Sequence, residues 1–249
     1  SFNDYRPGRE TGRADIIAEL QDRLAWIAND LGLVVASEGG TYLFARNLVI
    51  GHGITTPPYG WMDPRLKRDP ESEYFLGRWW PQEAPAVFFK PVPVPASIAR
   101  AMYAPQHRLP LFEIALHDAL VTTHHWEYGS LKPVGQRDVI ALTQLLYQVP
   151  PLYHLSTVHA DRDLPKIAAY QTHFGPLHTH LWDQQMTGFR FVSADRLVQE
   201  TAWSNGTSIN VNFAGEARTL ADGTVLPVRG YLVIQGEKRE VFVLDSLDN

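Results

Sequence analysis

The sequence contains no cysteine among its 249 residues, which excludes disulfide bonds, thiolate nucleophiles and zinc–cysteine sites. It has no apolar run near the ~20 residues of a membrane-spanning helix. It also lacks the glycine patterns that bind phosphate groups or dinucleotides. The net charge of −5 provides no basic surface for nucleic acid. We therefore expect neither a membrane nor a nucleic acid as a partner.

The residues at the start of the chain, from Ser1 to Tyr5, do not have the pattern of a signal peptide. Lack of cysteine occurs in periplasmic as well as cytoplasmic proteins, and a first residue other than Met is compatible with removal of an upstream segment. A periplasmic or secreted location is slightly favoured over a cytoplasmic one.

Aromatic residues are abundant, with seven Trp and ten Tyr. Flat aromatic rings stack on the apolar faces of sugars, and this richness would suit a sugar-binding cleft. Large cores and interfaces use the same residues, so composition alone leaves both interpretations open.

The amino-terminal part follows the order typical of a barrel of alternating strands and helices. Apolar residues at helical spacing predict a helix over 13–29, with Gly32 positioned to end it. The continuous apolar run 33–36 predicts a buried parallel strand, and Glu38 follows at its carboxyl end. Catalytic residues of such barrels lie at that end of the strands. Residues 41–110 are predicted to form one long irregular loop.

A second buried strand is predicted over 111–116, ending at His117 and Asp118. Further helices are predicted over 97–103, 137–147 and 161–174. Together, residues 1–186 are predicted to form the carboxy-terminal portion of a (β/α)8 barrel.

From residue 187 the apolar period changes to two, which indicates antiparallel strands separated by turns. The strand-like segments are 189–192, 198–201, 208–213, 231–234 and 240–244. The predicted fold class is therefore α/β followed by all-β, with an antiparallel β-sandwich over residues 187–249.

Two carboxylates at predicted strand ends are candidates for acid–base chemistry. Glu38 has small neighbours that leave room for a substrate and suits a general acid; alternatively, it starts a loop and bonds local backbone amides. Asp118 would stabilise positive charge in a glycosidic transition state while His117 donates a hydrogen bond to a sugar hydroxyl. The alternative is an Asp that caps the following segment.

The remaining candidates are aromatic and histidine residues. His124 and Trp126 are predicted to contact a sugar, the Trp by stacking, although ordinary loop packing fits equally well. Adjacent histidines on a strand point to opposite faces, so His124 and His125 do not suggest a metal pair. His178 and His180 lack a matching acidic pattern. No metal or cofactor is predicted.

Tyr59 and Trp61 lie in the long loop. They are predicted either to form a wall of the substrate site or to pack in a small separate hydrophobic core.

Several of these segments coincide in order and spacing with one family. They are Asp4-Tyr5-Arg6-Pro7, Gly32-Leu33-Val34-Val35, Ser37-Glu38-Gly39-Gly40, Gly60-Trp61-Met62-Asp63-Pro64, Leu109-Pro110-Leu111-Phe112, His117-Asp118, His124-His125-Trp126, Val198-Gln199-Glu200-Thr201 and Val211-Asn212-Phe213. The chain thereby resembles glycoside hydrolases related to bacterial endo-α-N-acetylgalactosaminidases. This resemblance implies a (β/α)8 barrel followed by a β-sandwich, and retaining hydrolysis of α-linked galactose or N-acetylgalactosamine sugars.

The resemblance also implies roles for individual residues. Glu38 matches the acid/base at a strand end, and the His117-Asp118 pair is similar to a pair whose Asp stabilises the transition state. The Asp nucleophile would end the preceding strand, which here should finish before residue 1, since the helix 13–29 leads directly to the Glu38 strand. Asp4 lies in the loop after that strand and is a substrate-binding candidate.

Half a barrel would leave open sheet edges and an uncovered core. The resemblance therefore predicts, besides the carbohydrate substrate, an amino-terminal fragment of the same polypeptide as a separate partner chain. Two alternatives are a non-catalytic carbohydrate-binding or interaction protein with a degenerate cleft, and a metal-dependent hydrolase that uses the histidines.

Overall fold

The computed structural model describes residues 6–8, 10–38, 41–55, 68–78, 84–126 and 129–248. The α-helices are α1 (Arg13–Ala25), α2 (Ala86–Phe89), α3 (Ala96–Met102), α4 (Leu111–Leu116), α5 (Arg137–Tyr147) and α6 (Ala160–Leu181). The strands are β1 (Ala36–Glu38), β2 (Ile50–His52), β3 (Val92–Pro93), β4 (Val121–Thr122), β5 (Pro133–Val134), β6 (Met186–Phe191), β7 (Val198–Trp203), β8 (Thr207–Asn212), β9 (Arg218–Thr219), β10 (Val225–Leu226), β11 (Gly230–Gln235) and β12 (Lys238–Val243).

The amino-terminal helix predicted over 13–29 is confirmed. Helix α1 begins after Gly12, whose N–H donates to the Asp15 carboxylate at 2.9 Å, and it continues as a π-helical turn over Trp26–Asp30. Gly32 then takes a positive φ of 63°, a conformation that glycine adopts without steric penalty and that commonly ends helices. The chain thus turns directly towards β1.

Three short strands form a parallel sheet in the order β1-β2-β4. Ala36 pairs with Ile50 and Ile50 with Val121, while Glu38 pairs with His52. The strand predicted over 33–36 therefore lies slightly later, at Ala36–Glu38, and it is exposed where the prediction had it buried. The loop prediction for 41–110 was wrong in part, because this segment also contains β2, α2 and β3; elements of two to four residues are too short to show a clear period. Helix α3 confirms the helix predicted over 97–103.

The strand predicted over 111–116 is wrong, because these residues form helix α4. A six-residue apolar run cannot be assigned to strand or helix by periodicity alone. In the helix, Phe112 and Leu116 lie four residues apart and pack together against the core cluster beside the sheet, whereas Leu111 is 70% exposed. His117 and Asp118 therefore follow a helix and precede β4.

The second half of the chain contains a five-stranded antiparallel sheet in the order β12-β11-β8-β7-β6, which confirms the predicted change of period. Odd-numbered side chains of β7, β8 and β11 face helices α5 and α6, and even-numbered side chains of β7 and β11 face the β9–β10 hairpin. The first set comprises Trp203, Ile209, Val211, Tyr231 and Val233; the second comprises Val198 and Leu232, which pack against Leu226. The hairpin gives the sheet a small second layer, as in a sandwich.

The largest core joins helices α5 and α6 to this antiparallel sheet. Leu145 and Leu146 of α5 and Leu181 of α6 are fully buried in the same cluster as Trp203 and Ile209 of the sheet. Burial of each such side chain stabilises the fold by roughly 1.5–3 kcal/mol. The predicted division at 186/187 falls at the start of β6, but packing is continuous across it, and the division stays a prediction.

Among the described helices, none combines the length and apolar character needed to cross a membrane.

Candidate active site

The carboxyl edge of the parallel sheet brings three polar side chains together. Glu38 is the last residue of β1, His52 is the last residue of β2 and its register partner, and His125 lies three residues after β4. Because parallel strands all end at the same edge, residues far apart in sequence meet there. The predicted strand-end position of Glu38 is thus confirmed.

Two neighbouring side chains contact the Glu38 carboxylate on one side. The indole N–H of Trp126 donates to Glu38 Oε1 at 2.6 Å, and His125 Nε2 lies 3.5 Å from the same oxygen. The His125 side chain is 1% exposed, whereas that of Glu38 is 61% exposed. One side of the carboxylate is therefore fixed by Trp126 and the buried His125, while the other faces an open space that a substrate can enter.

His52 belongs to this site but was missed by the sequence analysis. Its Nε2 accepts the backbone N–H of Trp126 at 3.0 Å, so its proton resides on Nδ1, which donates to Thr123 Oγ1 at 3.0 Å. Burial lowers the pKa of His52, although the nearby Glu38 charge opposes this shift. His52 is thus a neutral side chain that fixes the Trp126 backbone.

The Trp126 ring is enclosed by other aromatic side chains. Its centroid lies 5.4 Å from that of Phe88 and 6.5 Å from that of His154, and its carbonyl oxygen accepts a hydrogen bond from His154 Nε2 at 2.9 Å. These contacts orient the indole N–H towards Glu38. The predicted stacking of Trp126 on a sugar stays a prediction, whereas its hydrogen bond to Glu38 is a feature that the sequence did not indicate.

His124 occupies the interior next to this site, with 1% of its surface exposed. Burial lowers the pKa of His124 to about 3, and the positive charge of Arg108 acts in the same direction. A side chain so enclosed is not in a position to contact a sugar directly, so the geometry corrects the substrate-binding role predicted for His124.

His117 and Asp118 lie elsewhere. Asp118 is exposed and precedes β4, so it lies towards the end of the parallel sheet opposite Glu38. His117 Nδ1 donates to the Gln184 carbonyl oxygen at 2.9 Å, and its ring packs edge-on against Trp203 at 4.6 Å. The structure does not bring this pair to Glu38, and its predicted role in transition-state stabilisation has no geometric support here.

His117 instead lines a pocket of about 310 Å³. Its walls are mainly apolar, with Phe112, Leu120 and Trp182 among them. The pocket lies beside β4 and the end of α6, and its lining includes none of Glu38, His52 and His125.

Three other candidates, Asp4, Tyr59 and Trp61, lie outside the described residues. Their predicted contacts with substrate stay predictions.

The sequence profile of a family described as glycosyl hydrolases related to the GH101 family, GH129, matches residues 1–202. The chain belongs to this family of glycoside hydrolases. The family resemblance drawn from the ordered sequence segments is thereby confirmed. No curated protein sequence has a significant match to this glycoside hydrolase.

Solved structures of one enzyme share the fold of this chain. The α-N-acetylgalactosaminidase NagBb from Bifidobacterium bifidum, as a quadruple mutant, is 17% identical and aligns over 91% of this chain and 28% of its own, with a TM-score of 0.52. Its GalNAc complex is 16% identical, with coverages of 91% and 29% and a TM-score of 0.51. The glycoside hydrolase chain thus spans less than a third of the length of these structures. At this identity the similarity establishes the fold alone.

Proposed function

We propose that this glycoside hydrolase chain carries the acid/base carboxylate of a retaining α-glycosidase, and that the carboxylate is Glu38. The observation that carries the proposal is the position of Glu38 at the carboxyl edge of a parallel sheet, with Trp126 and His125 fixing one oxygen. An acid/base residue has to meet a glycosidic oxygen at a defined distance and angle. A carboxylate that is held on its buried side and open on the other meets this requirement.

The three parallel strands are, in this proposal, an arc of a (β/α)8 barrel. Period-two alternation places Glu38 on the same face of the sheet as Ala36, and His52 on the same face as Ile50. Ala36 and Ile50 are register partners and both exposed. A face that is apolar along the strands and polar at their carboxyl ends is what the inside of such a barrel requires.

In the first chemical step, protonated Glu38 donates its proton to the glycosidic oxygen while a nucleophilic carboxylate attacks the anomeric carbon. The glycosidic bond breaks, and the sugar becomes covalently linked to the nucleophile. In the second step, ionised Glu38 removes a proton from water, which attacks the same carbon and releases the sugar. Glu38 thus alternates between acid and base and is regenerated at the end of each cycle.

The substrate class in this proposal is an α-linked N-acetylgalactosamine or galactose sugar. Its support is the family assignment together with the shared fold of NagBb, an α-N-acetylgalactosaminidase for which a GalNAc complex has been solved. Asp118, near the opposite end of the sheet, has no part in the proposed reaction at Glu38.

We propose that the nucleophile comes from additional polypeptide, as an amino-terminal fragment that completes the barrel. A retaining mechanism requires the two carboxyl groups to be roughly 5–5.5 Å apart. The apolar side chains of Val34, Ile50 and Val121 are 75%, 39% and 41% exposed, and further strands would cover them. Native mass spectrometry of the purified protein tests this: a chain of 28.1 kDa that folds cooperatively as a monomer would contradict it.

The acid/base assignment is tested with Glu38→Gln in the complete enzyme. An aryl α-glycoside with a strongly acidic leaving group needs no protonation, whereas an alkyl α-glycoside does. The variant should lose most of its turnover on the alkyl substrate, keep bond cleavage on the aryl one, and still bind the sugar. Glu237→Gln, in the exposed turn between β11 and β12, is the matched control.

Equal turnover of Glu38→Gln and the wild-type enzyme on the alkyl glycoside would refute the assignment. Sugar binding without any hydrolysis by the wild-type complete protein would instead favour a non-catalytic carbohydrate-binding function.

A further inference from the structure

The pocket of about 310 Å³ that His117 lines has no part in the chemistry proposed for Glu38. Its volume lies within the range of small-molecule sites, which is about 300–1,000 Å³. We infer that this pocket binds a neutral, mainly apolar molecule with an aromatic body and one hydroxyl or carbonyl oxygen. The inference does not rest on the proposed function, because the residues around Glu38 do not line the pocket.

The walls of the pocket come from four segments of this chain. Phe112 lies in α4, Val121 in β4, Val149 in the turn after α5, and Trp182 directly after α6. Two of the apolar wall residues, Leu120 and Val149, are buried. The described residues therefore form the pocket by themselves, without a contribution from further polypeptide.

Three titratable side chains line the pocket, and all three favour their neutral forms. Burial raises the pKa of Glu113, against the opposing effect of the positive charge of Arg108. Burial likewise lowers the pKa values of His117 and His178. The walls thus offer no opposite charge to an ionic ligand, and an ion that leaves water for such surroundings is not compensated. A neutral ligand avoids this cost.

Glu113 is the polar group that would orient the ligand. Its side chain lies in the wall and the residue is only 5% exposed. Its own backbone N–H donates to the carboxyl group, and no other residue in the part of the chain that the structure describes forms a hydrogen bond with it. A protonated carboxyl group also has an O–H donor, and a buried donor without an acceptor is unfavourable. An oxygen atom of the ligand would accept this hydrogen bond.

Aromatic side chains favour a flat ligand body. Phe112 and Trp182 both line the pocket, and aromatic rings pack well against one another in stacked or edge-on arrangements. Trp182 is 61% exposed, and a bound ring would cover part of this apolar surface. An apolar side chain from further polypeptide could fill the same space, but it would leave the Glu113 O–H without an acceptor. The small molecule is therefore the occupant that the pocket fits better.

Binding is tested by titration calorimetry of the complete enzyme near neutral pH. The probes are 2-naphthol, which is neutral, and 2-naphthoate, which has the same ring system and a negative charge. We expect one saturable site for 2-naphthol per chain and binding of 2-naphthoate that is weaker by about tenfold or more.

Two matched variants of helix α6 locate the binding site. Thr179 lines the pocket and is exposed, so Thr179→Trp should fill the entrance and weaken 2-naphthol binding by about tenfold or more. Thr172→Trp is the control, because Thr172 is exposed on the same helix but outside the pocket lining. The hydroxyl groups of both residues donate to carbonyl oxygens of the preceding turn. Thr172→Trp should bind 2-naphthol as the wild type does.

Two substitutions of Glu113 test the orienting hydrogen bond. Glu113→Leu removes the donor and keeps a similar size, and it should weaken 2-naphthol binding by about threefold to tenfold. Glu113→Gln retains a donor in its amide group, and it should bind with nearly wild-type affinity. Cooperative thermal unfolding of each variant will confirm that it folds.

The inference would be overturned by the absence of saturable 2-naphthol binding, by wild-type affinity in Thr179→Trp, or by tighter binding of 2-naphthoate. Wild-type affinity in Glu113→Leu would exclude the orienting hydrogen bond. Thr179→Trp should hydrolyse glycosides as the wild type does, because Thr179 is not part of the site around Glu38. Failure of the pocket inference would therefore leave the proposed function standing, and loss of the Glu38 assignment would leave 2-naphthol binding intact.

Discussion

Glu113 provides a stability test that depends on how helix α4 packs. The residue lies within Leu111–Leu116 and is only 5% exposed. Burial raises the pKa of Glu113, and this effect outweighs the opposing effects of its own backbone N–H and the positive charge of Arg108. A carboxyl group in such surroundings prefers to stay protonated. Replacement by Gln keeps a similar shape and removes the ionisable proton.

The direction of the pH effect follows from proton binding in the two states. Above the ordinary pKa of 4.5, the unfolded chain loses the Glu113 proton while the folded protein still holds it. The free energy of unfolding should therefore fall as pH rises from 4.5 towards the raised folded-state pKa. Its steepest slope is about 1.4 kcal/mol per pH unit. Below 4.5 both states are protonated and this contribution to the slope disappears.

The assay is urea denaturation of the complete wild-type enzyme and its Glu113→Gln variant at several pH values between about 4 and 8. The difference in free energy of unfolding between variant and wild type should grow in favour of the variant as pH rises. Glu237→Gln should follow the wild-type curve, because the Glu237 side chain is exposed. Parallel curves for Glu113→Gln and the wild type would refute the reasoning.

Three further substitutions test other parts of the structure. Trp126→Phe keeps the aromatic packing but removes the N–H donor to Glu38. Because this carboxylate is largely exposed, we expect transition-state stabilisation to fall by only about 1 kcal/mol, which is roughly fivefold in kcat/KM on an alkyl glycoside in the complete enzyme. Unchanged kinetics would contradict the positioning role. Leu145→Ala, at a fully buried position, should lower the free energy of unfolding by about 2–5 kcal/mol; separate unfolding of helices and sheet in hydrogen exchange would argue against a shared core. Tyr170→Phe removes the buried hydrogen bond to the Ala141 carbonyl oxygen and should lower the free energy of unfolding by about 1 kcal/mol in chemical denaturation. A variant more stable than the wild type would show that this hydrogen bond does not stabilise the fold.

The accuracy of the predicted fold depended on the length of each element. Helices α1, α5 and α6 and the five strands from β6 to β12 that form the large sheet contain six or more residues, enough to repeat their apolar period. Helix α4 has only six residues, and its sequence is equally compatible with a buried strand. Strands β2 and β4 have three and two residues, and these local sequences contain no period at all.

The sequence indicated two members of the candidate site, Glu38 and Trp126. Glu38 could be identified because a polar residue followed by two glycines ends an apolar run. His52 was overlooked because its importance comes from pairing with Glu38 in the sheet. The Trp126 hydrogen bond to Glu38 joins residues 88 positions apart, and no local pattern indicates such a contact.

Patterns within the sequence by themselves determined the long helices, the antiparallel strands, the strand-end position of Glu38 and the resemblance to a glycoside hydrolase family. These features depend on residues that are near neighbours in the chain or on ordered motifs. Only the tertiary structure decided which side chains meet. It separated Asp118 from Glu38, buried His124, and placed His52, His125 and Trp126 around the carboxylate. Strand pairing and helix packing bring together segments that are far apart in the chain, and no local sequence pattern indicates such contacts.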